Sequence, residues 1–99
     1  MGCRGTETNV AYEQQTEVRN QEGLHFRPIM RLVDVAAQYS AGITIHGNDR
    51  QADARSPMEL LMLVATMGTK LIIRADGADE RDAVAALVRL IESGFDETQ

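Results

Sequence analysis

Apolar and polar positions near the start of the chain predict a strand followed by a helix. Residues 12 to 18 have a weak strand pattern, and turn-forming residues follow between Asn20 and Gly23. From Pro28, apolar residues recur at helical spacing until about Tyr39. Pro28 suits the first turn of a helix, where a missing N–H costs nothing. The apolar stripe of this helix consists of Ile29, Leu32, Val33, Ala36 and Ala37.

The middle of the chain predicts a hairpin and a second helix. The β-branched run AGITIHG indicates a strand, residues 48 and 49 a tight turn, and RQADA a second, more polar strand. The segment SPMELLMLVATMG then carries the signals of a helix start. Ser56 is the expected N-cap, Pro57 occupies the first helical position, and Glu59 completes a capping box. Gly68 is expected to close this helix.

The last part of the chain predicts a strand and a third helix. KLIIRAD has strand character, Gly77 supplies a turn, and residues 79 to 93 have a helical apolar stripe that Gly94 ends. The stripe consists of Ala83, Val84, Leu87, Val88 and Ile91. The order β-α-β-β-α-β-α predicts an α+β domain, in which a four-stranded antiparallel sheet packs three helices on one face.

Length and composition limit the classes of protein that fit. The chain of 99 residues predicts one small domain at residues 11–99, preceded by a flexible extension at residues 1–10. No apolar run is long enough to cross a bilayer, so no membrane insertion is expected. A formal charge of -5 argues against a nucleic-acid partner. The lone Cys3 cannot form an internal disulfide, and without a signal peptide the cytoplasm is the expected compartment.

His25 is the strongest candidate for chemistry, because EGLHFRPIM places it between a turn and a helix start. If the first helix starts near His25, the imidazole lies beside unpaired N–H groups that favour a phosphate over an imidazolium. The guanidinium of Arg27 matches phosphate oxygens well. The pair can therefore accept a phosphoryl group and hold it. A capping or surface histidine is the alternative interpretation of the same position.

The second helix is more apolar than one buried face requires. One side is expected to face the core, and the other is expected to be partly exposed. The core-facing set is Leu60, Leu63, Val64 and Met67. The exposed set, together with two residues of the first helix that lie off its core stripe, would form an apolar rim of a kind that suits docking. These rim residues are Phe26, Met30, Met58, Leu61 and Met62. The alternative is that a loop or a second subunit covers them.

The motif GLHFRP resembles the Gly-Leu-His-Ala-Arg-Pro signature of the HPr family. These are the histidine-containing phosphocarrier proteins of the bacterial phosphoenolpyruvate-dependent sugar phosphotransferase system. The resemblance runs without gaps from Gly23 to Glu97 and includes SPMELLMLV and GTKLIIRADGADERDAVAAL. It implies an open-faced β-sandwich with no cofactor. It also implies a transfer intermediate rather than an enzyme.

By this resemblance, His25 receives a phosphoryl group from Enzyme I through Nδ1 and passes it to sugar-specific or regulatory EIIA-type acceptor domains. Arg27 steadies the group, and the rim residues dock the partners. Phe26 and Ile29 stand where the family usually has alanine, which changes partner fit rather than phosphoryl chemistry. A non-transferring regulatory module of the same fold, which docks a transcription factor or an enzyme, is the alternative. A metabolite-binding domain is a third, and no pocket signature supports it.

Ser56 matches the regulatory serine that HPr kinase phosphorylates in some relatives. The capping box explains this serine without regulation, and Pro57 and Glu59 both depart from the kinase-regulated motif. A phosphate there would also be repelled by the Glu59 carboxylate. A helix N-cap is therefore favoured over a phosphosite. His46 is expected to face solvent, and no set of residues has the spacing of a metal site.

Overall fold

The computed structural model describes residues 11–95, and the predicted order of elements is confirmed there. The extension predicted for residues 1–10 lies outside the described residues. Within residues 11–95 no helix is long and apolar enough to cross a membrane. The elements are β1 (Tyr12–Glu17), α1 (Phe26–Ala36), β2 (Gly42–Gly47), β3 (Arg50–Asp53), α2 (Pro57–Met62), β4 (Lys70–Asp76) and α3 (Glu80–Glu92).

The strands form one antiparallel sheet in the order β1-β4-β2-β3. Ile73 lies at its centre, with Gln14 opposite it on β1 and Ile45 opposite it on β2. Buried and exposed residues alternate along β4, because successive side chains of a strand point to opposite faces. One face of the sheet therefore carries the core, and the other is open.

The helices cover the core face of the sheet, as predicted. The apolar stripe of α3 is buried at all five predicted positions. In α1, Ile29, Leu32 and Ala36 are buried, while Val33 is half-buried and Ala37 is exposed. The fold prediction, an open-faced sandwich of four strands and three helices, is confirmed.

Helix α1 ends at Ala36, earlier than the predicted end near Tyr39. The Nη2 atom of Arg55 donates to the carbonyl oxygens of Ala36 and Ala41, at 2.9 and 3.0 Å, and to that of Tyr39. The guanidinium of Arg55, which follows the hairpin in sequence, thus satisfies carbonyl groups at the end of α1 and in the loop after it. No local sequence signal indicates this role of Arg55.

Helix α2 ends at Met62, and the prediction that Gly68 closes it is wrong. The Asn48 side-chain amide donates to the carbonyl oxygens of Leu63 and Val64, at 2.9 and 3.1 Å. Val64 has a φ of +52°, a left-handed conformation that a β-branched residue rarely adopts and that cannot continue a helix. A side chain from the hairpin turn therefore replaces the next helical turn.

The early end of α2 also changes which of its residues are buried. Leu60 and Leu63 lie in the core as expected, but Val64 is 65% exposed and Met67 is 58% exposed. The helical pattern assigned both to the core, and that assignment is wrong because the chain is no longer helical there.

Helix α3 ends as predicted, with Ser93 as C-cap and Gly94 at a φ of +73°. The N–H of Gly94 donates to the carbonyl of Ile91, and that of Phe95 to the carbonyl of Leu90, at 3.1 and 2.9 Å. These two bonds form a Schellman motif, which turns the chain back onto the helix. Phe95 is consequently buried completely.

Asp79 joins the start of α3 to the loop before β2. Its two carboxylate oxygens accept the backbone N–H groups of Ser40 and Ala41, both at 2.9 Å. The bond from Ser40 has the largest influence and lowers the pKa of Asp79 from its ordinary 3.8; desolvation opposes it, and the bond from Ala41 adds to it. A lowered pKa means that the folded protein favours the ionised form.

We expect Asp79→Asn to lower the melting temperature at neutral pH, because an amide puts an N–H group against one of the two donors. The stability that wild-type Asp79 contributes is present above pH 3.8 and is lost as the pH falls through the lower, folded pKa. The difference between variant and wild type should therefore close once the pH is below that folded pKa. Thermal unfolding across pH measures it.

Asp34→Asn is the matched control, because Asp34 is exposed and makes no hydrogen bond or ion pair within residues 11–95. It should follow the wild-type pH dependence. An Asp79→Asn protein that stays parallel to the wild type down to acid pH would contradict the role assigned to this carboxylate.

Candidate functional site

His25 is the N-cap of α1, which begins at Phe26, two residues before Pro28. Its backbone is extended, with φ -118° and ψ -168°, and the intrahelical bonds begin with the N–H of Ile29, 2.9 Å from the His25 carbonyl. Pro28 thus lies in the first turn, where no N–H is needed. The expectation of a histidine at a helix start is met.

The turn before His25 is packed against the segment that follows α2. Gly23 has a φ of +72°, and a Cβ there would overlap the backbone of Ala65. The N–H of Leu24 donates to the Ala65 carbonyl at 2.8 Å, and the Asn20 side chain donates to the Gly23 carbonyl, also at 2.8 Å. The backbone on the N-terminal side of His25 is therefore held in place, next to the end of α2.

The imidazole of His25 is 40% exposed, and its two nitrogens differ. Nε2 is itself shielded from solvent and makes no hydrogen bond in the described part of the chain; Oε1 of Glu22 lies 2.6 Å from it as an ion-pair contact. Nδ1 forms no cap to the helix. Glu22 did not figure in the sequence analysis, although its spacing of three residues from the histidine was a usable signal.

Arg27 is exposed and makes no hydrogen bond or ion pair among residues 11–95. All five N–H donors of its guanidinium are thus uncommitted. The first-turn N–H groups of Phe26 and Arg27 precede the intrahelical bonds and receive no cap from His25. A helix N-terminus with free donors and a free guanidinium is well suited to an anion of high charge density.

The predicted docking residues are mostly exposed. Phe26 is 75% exposed, Met58 72%, Leu61 52% and Met62 57%, whereas Met30 is half-buried. Because α1 contacts α2, the two groups of apolar side chains belong to neighbouring elements. Val64 and Met67, which the sequence analysis placed in the core, add to this apolar surface.

Ser56 is the N-cap of α2, as predicted, but the capping box is only half formed. Its Oγ accepts the N–H of Glu59 at 3.3 Å. The Glu59 carboxylate does not return to Ser56; it accepts the N–H of Asp53 at 2.9 Å. The reciprocal bond was therefore predicted wrongly, since Glu59 instead ties the end of β3 to the helix.

His46 lies within β2, opposite Gln51 of β3 and Ile72 of β4. It belongs to the open face of the sheet and is half-buried by its neighbours rather than fully solvent-facing. The two histidines of the chain therefore have different surroundings: one at a helix start and one on a strand.

Comparison with known proteins agrees with the fold. Residues 12–93 match the family model described as the PTS HPr component phosphorylation site. The phosphocarrier protein NPr of Proteus mirabilis is 35% identical over 85 residues, which cover 85% of this chain and 94% of that protein. The phosphocarrier protein HPr of Cupriavidus necator is also 35% identical, over 86% of this chain and 96% of its own length.

Solved structures give the same result. A crystal structure of HPr from Thermoanaerobacter tengcongensis matches with a TM-score of 0.84 at 35% identity, covering 89% of this chain and 99% of that one. A phosphocarrier protein HPr from Bacillus anthracis matches with a TM-score of 0.80 at 26% identity, covering 84% and 99%. The chain therefore belongs to the HPr family of phosphocarrier proteins, components of the phosphoryl relay of the phosphotransferase system.

Proposed function

We propose that His25 accepts a phosphoryl group from phospho-Enzyme I and passes it to EIIA-type acceptor domains. The observation that carries the proposal is the half-exposed imidazole at the N-terminus of α1, with an uncapped first turn and an uncommitted Arg27 beside it in sequence. The protein acts as an intermediate of the transfer in the cytoplasm, and it needs no cofactor.

The chemistry is a displacement at phosphorus. The lone pair of His25 Nδ1 forms the new N–P bond while the bond from phosphorus to the donor atom breaks, and the donor atom keeps the electron pair. The group brings a charge of about -2, which Arg27 and the free N–H groups of the first turn can balance. Transfer to an acceptor is the same displacement in reverse, so the protein has to hold the group without trapping it.

Partners would dock on the apolar surface beside this site. It comprises Phe26, Met30, Met58, Leu61 and Met62. Exposed methionines adapt to differently shaped partners, which suits a carrier that meets a donor and several acceptors. Because Phe26 is large, it favours partners that have a complementary pocket opposite the start of α1.

Ser56 is proposed as a structural cap rather than as a substrate of HPr kinase. Its Oγ is engaged by the Glu59 N–H, and the Glu59 carboxylate follows in the same turn of helix. A phosphate on Ser56 would lose the cap geometry and meet a like charge.

The decisive experiment is intact-mass spectrometry after incubation with phosphoenolpyruvate and a bacterial Enzyme I. The proposal expects the mass of one phosphoryl group to be added and then lost on brief acid treatment, as a phosphohistidine requires. An unchanged mass, with the same Enzyme I shown to phosphorylate another HPr, would overturn it. The regulatory binding module of the same fold would then be the better description.

Leu61→Glu tests the docking surface. We expect the KM of Enzyme I for this protein to rise by about five- to thirtyfold, equivalent to about 1 to 2 kcal/mol, because a charge would be buried at the interface. The folded state should be little affected, since Leu61 is 52% exposed. Initial rates of phosphorylation at varied carrier concentration measure the effect.

Ile72→Glu is the control for that experiment. Ile72 is also an exposed large apolar residue, 40% accessible, but it lies on the open face of the sheet. The KM of Enzyme I for Ile72→Glu should match its KM for the wild-type protein. An equal rise in both variants would mean that added negative charge, not the apolar surface, governs the encounter with Enzyme I.

A further inference from the structure

We propose that Glu22 is a positioning residue that directs phosphoryl transfer to Nδ1 of His25. The inference deepens the proposed function and rests on it. Oε1 of Glu22 lies 2.6 Å from Nε2, the nitrogen that is shielded from solvent and makes no hydrogen bond within residues 11–95, so the two groups interact through their charges. Two consequences follow from this contact, one for the position of the proton and one for access to the ring.

The contact determines which nitrogen carries the proton. An ionised carboxylate repels the lone pair of a bare Nε2 and attracts its N–H dipole, so a contact at 2.6 Å is favourable only when Nε2 carries the proton. In the neutral ring this leaves the lone pair on Nδ1, which is the form that can attack phosphorus. The Glu22 carboxylate therefore favours the tautomer with the proton on Nε2 over the tautomer with the proton on Nδ1.

The contact also blocks the wrong nitrogen. Nε2 is shielded while the His25 side chain as a whole is 40% exposed, so a donor approaching from solvent meets the rest of the ring first. The backbone position of Glu22 is set by the turn, because the Asn20 side chain donates to the Gly23 carbonyl at 2.8 Å. The turn before the helix and the carboxylate together select Nδ1.

Glu22 has a second use once the N–P bond has formed. Attack by Nδ1 with the proton retained on Nε2 leaves a positive charge on the ring, and the carboxylate faces that charge directly. When the group leaves for an acceptor, the electron pair of the N–P bond returns to Nδ1. The ring is then neutral again, with its proton still on Nε2, beside Glu22.

The competing interpretation is an ordinary surface ion pair, since the Glu22 side chain is 69% exposed and exposed pairs contribute little to stability. Such a pair would affect neither the tautomer of the ring nor the identity of the phosphorylated nitrogen. Both are measurable, so the two interpretations separate without reference to stability.

The first test is ¹⁵N NMR of the histidine rings at a pH of about 8.5, where an ordinary imidazole is neutral. Glu22→Ala should lower the ratio of Nε2–H to Nδ1–H tautomer at His25 by up to about fivefold, the range expected for an exposed pair. Glu22→Gln should also lower it, because an amide can donate to a bare Nε2 as well as accept. Glu17→Gln, which removes an exposed carboxylate at the end of β1, should leave the ratio unchanged.

The second test uses two phosphoryl donors. With Enzyme I, Glu22→Ala should slow phosphorylation by up to about fivefold. With phosphoramidate, a small donor from which ammonia leaves as the N–P bond to histidine forms, it should raise the share of product on Nε2. Because phosphoramidate needs no partner surface, this second readout depends only on the carrier.

The outcomes are distinguishable. A tautomer ratio and a product ratio that are identical in Glu22→Ala and wild type would overturn the inference. Ratios that shift as expected, in a protein that Enzyme I does not phosphorylate, would support the selection by Glu22 and overturn the proposed carrier function instead. Shifts in both ratios together with slower transfer from Enzyme I would support both proposals.

Discussion

Replacing His25 with Ala is expected to abolish phosphoryl acceptance from phospho-Enzyme I while leaving the free energy of unfolding within about 0.5 kcal/mol of the wild type. The side chain is 40% exposed and makes no cap bond to α1, so its removal leaves no cavity and no unpaired helix donor beyond those already free. Only the nitrogen that forms the N–P bond disappears. Intact mass after reaction and thermal unfolding give the two measurements.

His46→Ala is the matched control, because the chain has two histidines and His46 lies on β2, on the open face of the sheet. It should accept one phosphoryl group as the wild type does. Acid-labile phosphorylation that survives in His25→Ala would place the acceptor elsewhere. A large fall in the melting temperature of that variant would mark His25 as a structural residue.

Phe95→Ala is expected to lower the free energy of unfolding by about 3 to 5 kcal/mol, the usual cost of truncating a fully buried aromatic residue. Among the described residues, Phe95 has the largest side chain that is completely buried. The Schellman motif at the end of α3 turns it into the core, so the loss would leave a cavity that the helix end cannot close. Urea denaturation at neutral pH measures the change.

The same experiment on Phe26→Ala provides the comparison, since these are the two phenylalanines of the chain and Phe26 is 75% exposed. Its unfolding free energy should stay within about 0.5 kcal/mol of the wild type. Equal losses in the two variants would contradict the burial of Phe95. Phosphorylation by Enzyme I can be followed in both, because neither variant alters His25.

The strand β4 and the helix α3 were predictable in detail because each buries one face. KLIIRAD alternates with a period of two, and Leu71, Ile73 and Ala75 are the buried residues. The stripe from Ala83 to Ile91 follows the helical period, and Gly94 marks its end. These signals are local, since each depends on the geometry of its own element and on burial of its apolar side.

The helix start that carries the candidate site was predictable as well. The glycine turn, His25 and Pro28 identified a helix start from sequence alone, and their resemblance to the HPr signature indicated the family before any geometry was known. The carboxylate of Glu22 at Nε2 was not found in this way, because a contact between side chains depends on how the turn folds. Likewise, Glu59 had two possible acceptor roles, and only the position of Asp53 decided between them.

The order of elements, the core faces of the regular ones and the family of the protein were thus predictable from the amino-acid sequence. Tertiary structure alone decided where α1 and α2 end and which of the later apolar residues, such as Val64 and Met67, remain on the surface. The physical reason is that the hydrogen bonds at these helix ends come from side chains distant in sequence. Helix ends that are closed by Arg55 and Asn48, from 14 or more residues away, leave no mark in the local pattern of apolar positions.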